Sequence, residues 1–334
     1  MSPASTEQFL LEQYIGHPAS QLQDLRKALY QSVFGCGHLI TDTSAAEGIR
    51  REAAEAGPCS REIEALDGPW SRVHLGVLAD GLTPETLSRM FARSAAMPHG
   101  DADALQEKLT VLRRLIRSGA LPYSPAEADA ELDDWRKNGF PVCRHSEEYR
   151  AAYRPAYRVL HRTYVRLLPL LAAIDRALAE NPRVLLAIEG GAASGKSTLA
   201  DLLTAIYPDT ALFHADDFFL RPEQRTAARY AQPGGNLDRE RLESEILIPI
   251  SRNKAAVYRP FNCRTLSLRE PVTVLPGRLN IVEGSYSFHP ELARYYDLSV
   301  FLDISPETQR SRILKRNGPE WGQQFFDRWI PLEQ

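Results

Sequence analysis

One stretch, residues 184–200, decides the fold of the second half of the chain: Val184-Leu185-Leu186-Ala187-Ile188-Glu189-Gly190-Gly191-Ala192-Ala193-Ser194-Gly195-Lys196-Ser197-Thr198-Leu199-Ala200. An apolar run is followed by a glycine-rich turn, and then the apolar pattern resumes. This order predicts a buried strand, a tight loop and a helix. Gly190, Gly195 and Lys196-Ser197 fill the spacing G-x-x-x-x-G-K-[ST], which defines the phosphate-binding P-loop.

The chemistry of this loop predicts a nucleoside triphosphate with Mg²⁺ as its ligand. Glycines let the backbone curl until successive N–H groups point at one anion, and the following helix adds the positive end of its dipole. Lys196 can reach the β- and γ-phosphates, and the Ser197 hydroxyl can ligate Mg²⁺. The expected nucleotide-binding residues are Gly190, Gly191, Ala192, Ala193, Ser194, Gly195, Lys196, Ser197 and Thr198.

Composition excludes several classes of protein. The 334 residues are 43% hydrophobic and 25% charged with a net charge of −3, so no basic field indicates a nucleic-acid partner. The four cysteines (Cys36, Cys59, Cys143 and Cys263) form neither a C-x-x-C pair nor a ligand-spaced cluster. Residues 1–11 lack the features of a signal peptide, and no apolar run is long enough to span a membrane. We therefore expect a cytoplasmic protein without a membrane or nucleic-acid partner.

Residues 1–145 are predicted to form a mostly helical domain of unknown role. Helical periodicity, caps and breakers predict helices over Gln21–Phe34, Thr43–Ala56, Arg61–Leu66, Thr83–Ala96, Ala102–Ile116 and Pro125–Lys137. The segment Gly35-Cys36-Gly37-His38 has two interpretations, a reactive thiol or half a metal site, and a helix C-cap with incidental Cys and His. The second is favoured because no nearby residue completes a site.

Residues 146–182 are predicted to form a connecting helix, divided at Pro155 and bent at Pro169. Five arginines recur every fourth residue and a parallel row of tyrosines lies one position earlier: Arg150, Arg154, Arg158, Arg162 and Arg166, with Tyr149, Tyr153 and Tyr157. On a helix such rows lie side by side. They indicate either an anion-binding ridge or a solvated basic face beside a tyrosine-rich packing face, and we favour the solvated face.

Residues 183–334 are predicted to form an α/β domain with a parallel sheet and flanking helices, of the P-loop NTPase type. The predicted strands are Val184–Glu189, Thr210–His214, Leu279–Glu283 and Leu298–Asp303, with a possible edge strand at Val257–Arg259. The predicted helices are Lys196–Ile206, Arg239–Ile250 and Pro306–Lys315. Ligands bind such sheets at the carboxyl ends of the strands, so residues that follow the strands are the candidates for chemistry.

Phosphoryl transfer needs a base, a metal and cations over the transferred group, and the chain supplies a candidate for each. Asp216 follows the second strand and is the expected base, with Lys196 as the phosphate-binding cation. Glu283 ends a buried strand and is expected to hold Mg²⁺ with Ser197 and Asp216. Arg312 and Arg316, one helical turn apart, can fold over the phosphates as a lid.

The order of these motifs resembles the uridine kinase family, which includes nicotinamide riboside kinases, pantothenate kinases and phosphoribulokinases. The resemblance covers residues 183–318 and rests on the P-loop, Asp216-Asp217-Phe218-Phe219, Val282-Glu283-Gly284, Tyr296–Asp303 and Arg312…Lys315-Arg316. His214–Phe219 is most similar to the nicotinamide riboside branch. The resemblance implies ATP-dependent phosphorylation of a hydroxyl, often a ribose 5′-hydroxyl. It also implies that Asp216 is the base and that Ser197 and Glu283 serve the metal.

The acceptor side departs from the nucleoside kinases of that family. Their acidic, aromatic segment after the second strand is replaced here by the arginine- and glycine-rich residues 225–238. Asp238 either contacts a ribose or caps the next helix. The expected acceptor-binding residues are Asp217, Arg225, Arg229, Asp238, Tyr258 and Arg259. The arginines among them indicate an acceptor that carries phosphate or carboxylate.

Two classes of function fit these patterns. The first is a small-molecule kinase that transfers the γ-phosphate of ATP to a hydroxyl of a nucleoside-like or anionic acceptor. The second is a nucleotide-gated binding protein, in which ATP at the P-loop controls partner binding by the helical domain. A regulatory GTPase is disfavoured because the chain has no [NT]-K-x-D guanine motif. The sequence does not define the oligomeric state, and a homo-oligomer is one of the options.

Overall fold

The computed structural model describes residues 6–36, 45–57 and 59–333. The chain divides into two compact units, Met1–Asp175 and Arg176–Gln334. The division falls inside the helix Leu168–Glu180, within the segment that we predicted as a connector. The assignment of residues 1–145, 146–182 and 183–334 to separate domains stays a prediction.

The first unit is largely helical, as its sequence predicts. Its helices are α1 (Thr6–Gly16), α2 (Leu22–Phe34), α3 (Ala45–Ala56), α4 (Pro84–Ala95), α5 (Ala102–Arg117), α6 (Pro125–Lys137), α7 (Glu147–Tyr153), α8 (Arg162–Val165) and α9 (Leu168–Glu180), the last of which crosses the division. Helix α4 starts as its motif predicts, because the Thr83 hydroxyl accepts a hydrogen bond from the Thr86 amide at 3.2 Å. Gly35, at φ 62°, ends α2, while Gly37 and His38 lie outside the described residues.

The prediction of a helix over Arg61–Leu66 is wrong. Residues Ile63–Ala65 form strand β1, which pairs antiparallel with β2, Trp70–His74. Asp67-Gly68-Pro69, which we interpreted as a helix stop, is instead the turn of a hairpin. Gly68 adopts φ 145°, and a Cβ there would lie 2.7 Å from the Ser32 carbonyl. Turn residues of this kind can end a helix or a strand. Here the segment after the turn pairs with the segment before it, so both are strands.

The prediction of a long connecting helix over residues 146–182 is also wrong. Helix α7 ends before Pro155, and residues Tyr157–His161 form strand β3, which pairs with β2 and completes a sheet of order β1-β2-β3. Arg154 lies at φ 45° and closes α7. The five arginines therefore do not lie on one helix. Arg150, Arg154, Arg162 and Arg166 are nevertheless exposed and Tyr149 is buried, as in the interpretation that we favoured. Pro169 is the second residue of α9, where a proline needs no bend.

A buried polar cluster lies at the centre of the first unit. The Arg72 side chain is 1% exposed, and its Nη1 lies 3.0 Å from a Glu64 carboxylate oxygen. Its Nε donates to Gln31 at 2.8 Å, and the guanidinium lies over the Tyr157 ring at 5.1 Å. Burial of an arginine is tolerated when a carboxylate and further hydrogen bonds compensate its lost hydration.

The second unit contains the predicted parallel sheet. Its strands are β4 (Val184–Gly190), β5 (Thr210–His214), β6 (Ala256–Tyr258), β7 (Phe261–Asn262), β8 (Ser267–Leu268), β9 (Val272–Val274), β10 (Leu279–Glu283) and β11 (Leu298–Leu302). Four of them form a parallel sheet in the order β11-β4-β10-β5, so the α/β prediction with a parallel sheet is confirmed. The others form two antiparallel pairs, β6–β9 and β7–β8.

Helices flank this sheet and follow its strands. They are α10 (Lys196–Ile206), α11 (Ala227–Tyr230), α12 (Arg239–Leu242), α13 (Ile248–Ser251), α14 (Pro306–Gln324) and α15 (Ile330–Glu333). A π-helical turn, Glu243–Leu247, joins α12 to α13, so the predicted helix over Arg239–Ile250 has a widened middle. Helix α14 breaks at Gly318, at φ 75°, before Pro319. Among the described residues, no helix has both the length and the apolar character needed to cross a membrane.

Candidate active site

The P-loop connects β4 to α10 in the geometry that its sequence predicts. Gly190, Ala193 and Gly195 have φ values of 148°, 60° and 106°. A Cβ at Gly190 would lie 2.5 Å from the Leu302 carbonyl oxygen, because β11 pairs with β4 at that residue. Both the close Leu302 carbonyl and the positive φ therefore require a glycine at position 190. The nine expected nucleotide-binding residues, Gly190 to Thr198, lie in this one turn and the start of α10.

Lys196 folds back over the loop. Its Nζ donates to the carbonyl oxygens of Gly190 at 2.8 Å and Gly191 at 3.0 Å, and lies 3.4 Å from the Ser285 hydroxyl. A lysine ammonium has three donors. In this arrangement they serve carbonyls and a hydroxyl at the mouth of the loop, where phosphate oxygens would offer stronger, charged acceptors.

Ser197, Glu283 and His214 form a connected group at the ends of three elements. The Ser197 hydroxyl lies 3.3 Å from each Glu283 carboxylate oxygen, and His214 Nδ1 lies 2.6 Å from Glu283 Oε1. Glu283 and His214 are paired residues at the carboxyl ends of β10 and β5. Glu283 is 6% exposed. The hydrogen bond to Glu283 is the main cause that raises the pKa of His214 above its ordinary value, with support from Asp216 and Asp217.

Asp216 lies in the turn Ala215–Phe218 that follows β5. Its pKa is raised, first by desolvation and then by the Glu283 carboxylate, while Lys196, His214 and Arg316 act in the opposite direction. Asp216 is exposed and lies just after the carboxyl end of β5, and we call the region around it, at the carboxyl ends of the parallel strands, the crevice. A carboxylate with a raised pKa is a better proton acceptor.

Helix α14 contacts the P-loop through its side chains. Gln309, 8% exposed, donates through Nε2 to the Ala192 carbonyl at 3.1 Å. Arg312 donates to the Ala193 carbonyl at 3.0 Å. Arg316 acts electrostatically on Asp216 and lies over the Phe325 ring at 5.6 Å. The structure thus brings both predicted lid arginines to the site, together with Gln309, which we did not predict.

The predicted acceptor-binding residues separate into two groups. Asp238 is 1% exposed and caps α12, and Arg229 is paired with Glu240 at 2.7 Å. Tyr258 is buried against Phe218 with ring centroids 5.3 Å apart. Arg259 donates to the Arg269 carbonyl at 2.7 Å. These four side chains have partners within the fold, and their assignment to acceptor binding stays a prediction.

Asp217 and Arg225 remain at the crevice and are joined there by residues that we did not predict. Burial raises the pKa of Asp217, while His214 and Arg269 lower it. The Cys263 thiol has its pKa raised by desolvation and by Asp216, and lowered by Arg225 and Arg269. Arg269 and Cys263 belong to the β7–β8 hairpin, which contacts the turn of Asp216 and Asp217. No sequence motif marks this hairpin.

Glu189 is a further residue at the loop for which the sequence predicted no role beyond its strand. One of its carboxylate oxygens accepts from the Tyr286 amide at 2.8 Å and the other from the Phe288 amide at 3.0 Å. The same carboxylate accepts from the Gly190 amide at 3.0 Å. The acidic residue before the first P-loop glycine therefore ties this loop to the segment that follows β10.

Comparisons with known proteins add a distant structural likeness. No family model matches the chain, and no curated protein matches it. A solved structure described as a possible uridine kinase from Bacillus stearothermophilus is 18% identical, with a TM-score of 0.35. The match covers 49% of this chain and 96% of that one. At this level of likeness the functional interpretation rests on the site itself.

Proposed function

We propose that this protein is an ATP-dependent kinase that phosphorylates a hydroxyl of a small molecule. The observation that supports the proposal is that the groups needed for phosphoryl transfer lie at one edge of the parallel sheet. Lys196 at the P-loop, Glu283 with Ser197 and His214, and Asp216 meet at the carboxyl ends of three adjacent parallel strands. Phosphoryl transfer needs this combination of phosphate cradle, metal ligand and base.

The residues at the site suit Mg²⁺ as the metal. Mg²⁺ prefers oxygen ligands and keeps several waters, and it binds through one or two carboxylates together with substrate phosphates. Ser197, Glu283 and Asp216 supply such oxygens, although no group of three or more His, Cys, Asp or Glu side chains in residues 6–36, 45–57 and 59–333 forms a metal cage. When bound, Mg²⁺ would neutralise charge on the β- and γ-phosphates.

In the proposed reaction Asp216 accepts the proton of the acceptor hydroxyl. The hydroxyl oxygen then forms a bond to the γ-phosphorus while the bond from that phosphorus to the β,γ-bridging oxygen breaks, and ADP leaves. Lys196 and the P-loop amides hold the phosphates in line, and Arg312 and Arg316 supply positive charge from α14. His214 holds the Glu283 carboxylate in place through Nδ1.

The test is acceptor-stimulated release of ADP across a panel of nucleosides, vitamins and sugar phosphates. With an acceptor identified, Asp216→Asn should lower kcat by about 10²- to 10⁴-fold, the usual contribution of a general base. Asp201→Asn is the matched control, because Asp201 is an exposed aspartate on α10. The proposal fails if no acceptor in a broad panel stimulates ADP release, or if both variants behave alike.

A nucleotide-gated binding protein is the alternative. The observation in its favour is that the first unit has its own core and a buried polar cluster around Arg72, beyond what the kinase site uses. Under this alternative, ATP would change hydrogen exchange within residues 6–175, and Asp216→Asn would leave that change intact. Under the kinase proposal, loss of turnover in Asp216→Asn is the main effect.

A further inference from the structure

Two arginines at the crevice have terminal nitrogens to which the described residues offer no acceptor. The Arg225 guanidinium donates through Nε to the Leu220 carbonyl at 3.1 Å and lies over the Phe261 ring at 5.7 Å. Arg269 is held through its backbone, with its N–H donating to the Pro260 carbonyl at 2.8 Å. Neither guanidinium forms an ion pair in the described parts of the chain.

Three other arginines of this region behave differently. Arg229 pairs with Glu240 at 2.7 Å, Arg241 with Glu245 at 2.8 Å and Arg239 with Glu291 at 2.8 Å. Each of these guanidiniums serves the local fold. The contrast shows that acidic partners are available in this region, and that Arg225 and Arg269 stand apart from them.

The backbone around Arg269 is fixed by a chain of hydrogen bonds. Arg241 Nη2 donates to the Arg259 carbonyl at 2.7 Å, and Arg259 Nε donates to the Arg269 carbonyl at 2.7 Å. Two arginine side chains thus support the position of a third, whose own guanidinium is left exposed. The backbone of Arg269 is thus held in place, and its guanidinium offers charged donors that an anion could accept from.

These cations lie beside the acidic end of the crevice. Arg225 lies over the ring of Phe261 in β7, the Arg269 amide is hydrogen-bonded to Pro260 just before β7, and β7 contacts the turn that carries Asp216 and Asp217. Burial and Asp216 raise the pKa of the Cys263 thiol, and both arginines lower it. A negatively charged acceptor near two carboxylates would be repelled without such cations. The hydroxyl end of an acceptor would lie at Asp216 and its anionic end at the arginines.

We propose that Arg225 and Arg269 bind an anionic group, phosphate or carboxylate, on the acceptor, and that they make this enzyme selective for anionic over neutral hydroxyl compounds. This inference rests on the proposed kinase function and adds its substrate class. Each guanidinium offers paired donors that match two oxygens of one anion. The sequence pointed to Arg225, Arg229 and Arg259, and of these Arg229 pairs with Glu240 while Arg259 donates to the Arg269 carbonyl.

The first experiment compares matched acceptors: glycerol, glycerate and glycerol 3-phosphate, and ribose with ribose 5-phosphate. Arg269→Gln and Arg225→Gln should each raise KM for the preferred anionic acceptor by about ten- to hundredfold, the effect of losing a charge-assisted hydrogen bond. The ratio of kcat/KM for the anionic acceptor to kcat/KM for its neutral counterpart should fall by a similar factor. Arg264→Gln, in the same hairpin and exposed, is the control and should match wild type.

The second experiment measures anion binding without turnover. Cys263 is exposed, whereas Cys36 and Cys143 are buried, so in a Cys59→Ser background N-ethylmaleimide should react at Cys263. Inorganic phosphate or acetate should slow that reaction in wild type and in Arg264→Gln, but not in Arg269→Gln. Protection by phosphate alone assigns a phosphate ester, and equal protection by acetate assigns a carboxylate. Unchanged thiol reactivity with either anion overturns the proposal.

The two proposals fail in distinguishable ways. Turnover of neutral acceptors, with KM for anionic ones unchanged in Arg269→Gln, would overturn the anion site and keep the kinase. Protection of Cys263 by phosphate without any acceptor-stimulated ADP release would support the anion site and overturn the kinase. Retained ATP binding in Arg269→Gln shows that the variant is folded.

Discussion

Replacement of Gly190 by alanine tests how tightly the P-loop is built into the sheet. Gly190 has φ 148° and a Cβ there would lie 2.5 Å from the Leu302 carbonyl oxygen of β11. Gly195, in the same loop, has φ 106°, and a Cβ at that position would meet no atom within 4 Å. Gly195→Ala therefore carries backbone strain alone, whereas Gly190→Ala carries strain and overlap with a backbone atom.

The expected loss in free energy of unfolding has two contributions, backbone strain and steric overlap. Backbone strain of this kind costs about 1–3 kcal/mol. Overlap in a packed region adds roughly another 1–3 kcal/mol. We expect Gly190→Ala to lower the free energy of unfolding by the sum of both terms, and Gly195→Ala by the first alone. Because Leu302 must move, the extra loss should concentrate in the β4–β11 pairing.

The assay is native-state hydrogen exchange, with the amides of β4 and β11 compared between the two variants and wild type. ATP affinity is measured in parallel and should fall in both, since both change the loop. Equal stability of Gly190→Ala and Gly195→Ala, with equal protection of the β11 amides, would refute the close approach of β11 to the loop. The comparison does not depend on the identity of the acceptor.

Two further predictions concern charged groups. Glu283→Gln should return the pKa of His214 to its ordinary range or below, as measured by NMR titration, because Glu283 is the main cause of the raised value. The stabilisation of the fold by protonated His214 is fully present below the unfolded pKa of His214 and is lost as pH rises through its raised folded pKa. Glu283→Gln should therefore remove this pH dependence of the free energy of unfolding. A wild-type His214 pKa below the ordinary value would contradict the assignment. Glu64→Gln should destabilise the first unit by about 3 kcal/mol, because it leaves the buried Arg72 charge without its carboxylate. Glu7→Gln, at the exposed pair with Arg114, should cost less than about 1 kcal/mol. Equal denaturation midpoints for these two variants would disprove the prediction.

The parts of the fold that local sequence specifies were predictable. The loop at Gly190–Thr198 needs particular residues at particular positions, and the strands around it are continuous apolar runs. Parallel topology then brings the strand ends together. Asp216 follows one of these runs and Glu283 ends another, which was enough to predict that both lie near the loop.

Other parts depend on contacts between distant segments and could not be predicted. Asp67-Gly68-Pro69 ends a helix or turns a hairpin, and only the pairing of β1 with β2 decides between them. Arg229 carries the same charge as Arg225, yet its guanidinium pairs with Glu240, eleven positions along the chain. Arg269 reaches the crevice because the β7–β8 hairpin contacts the turn of Asp216, a contact between segments far apart in the chain.

The lysine of the loop has a consequence for how a nucleotide would bind. Lys196 donates to the Gly190 and Gly191 carbonyls at 2.8 and 3.0 Å, so two of its N–H donors have neutral acceptors within the loop itself. Nucleotide binding is then an exchange of hydrogen bonds, in which the ammonium leaves two neutral acceptors for charged phosphate oxygens. Only the difference between the two sets contributes to affinity. We therefore expect the loop to bind highly charged phosphate groups more tightly than anions with weakly charged oxygens.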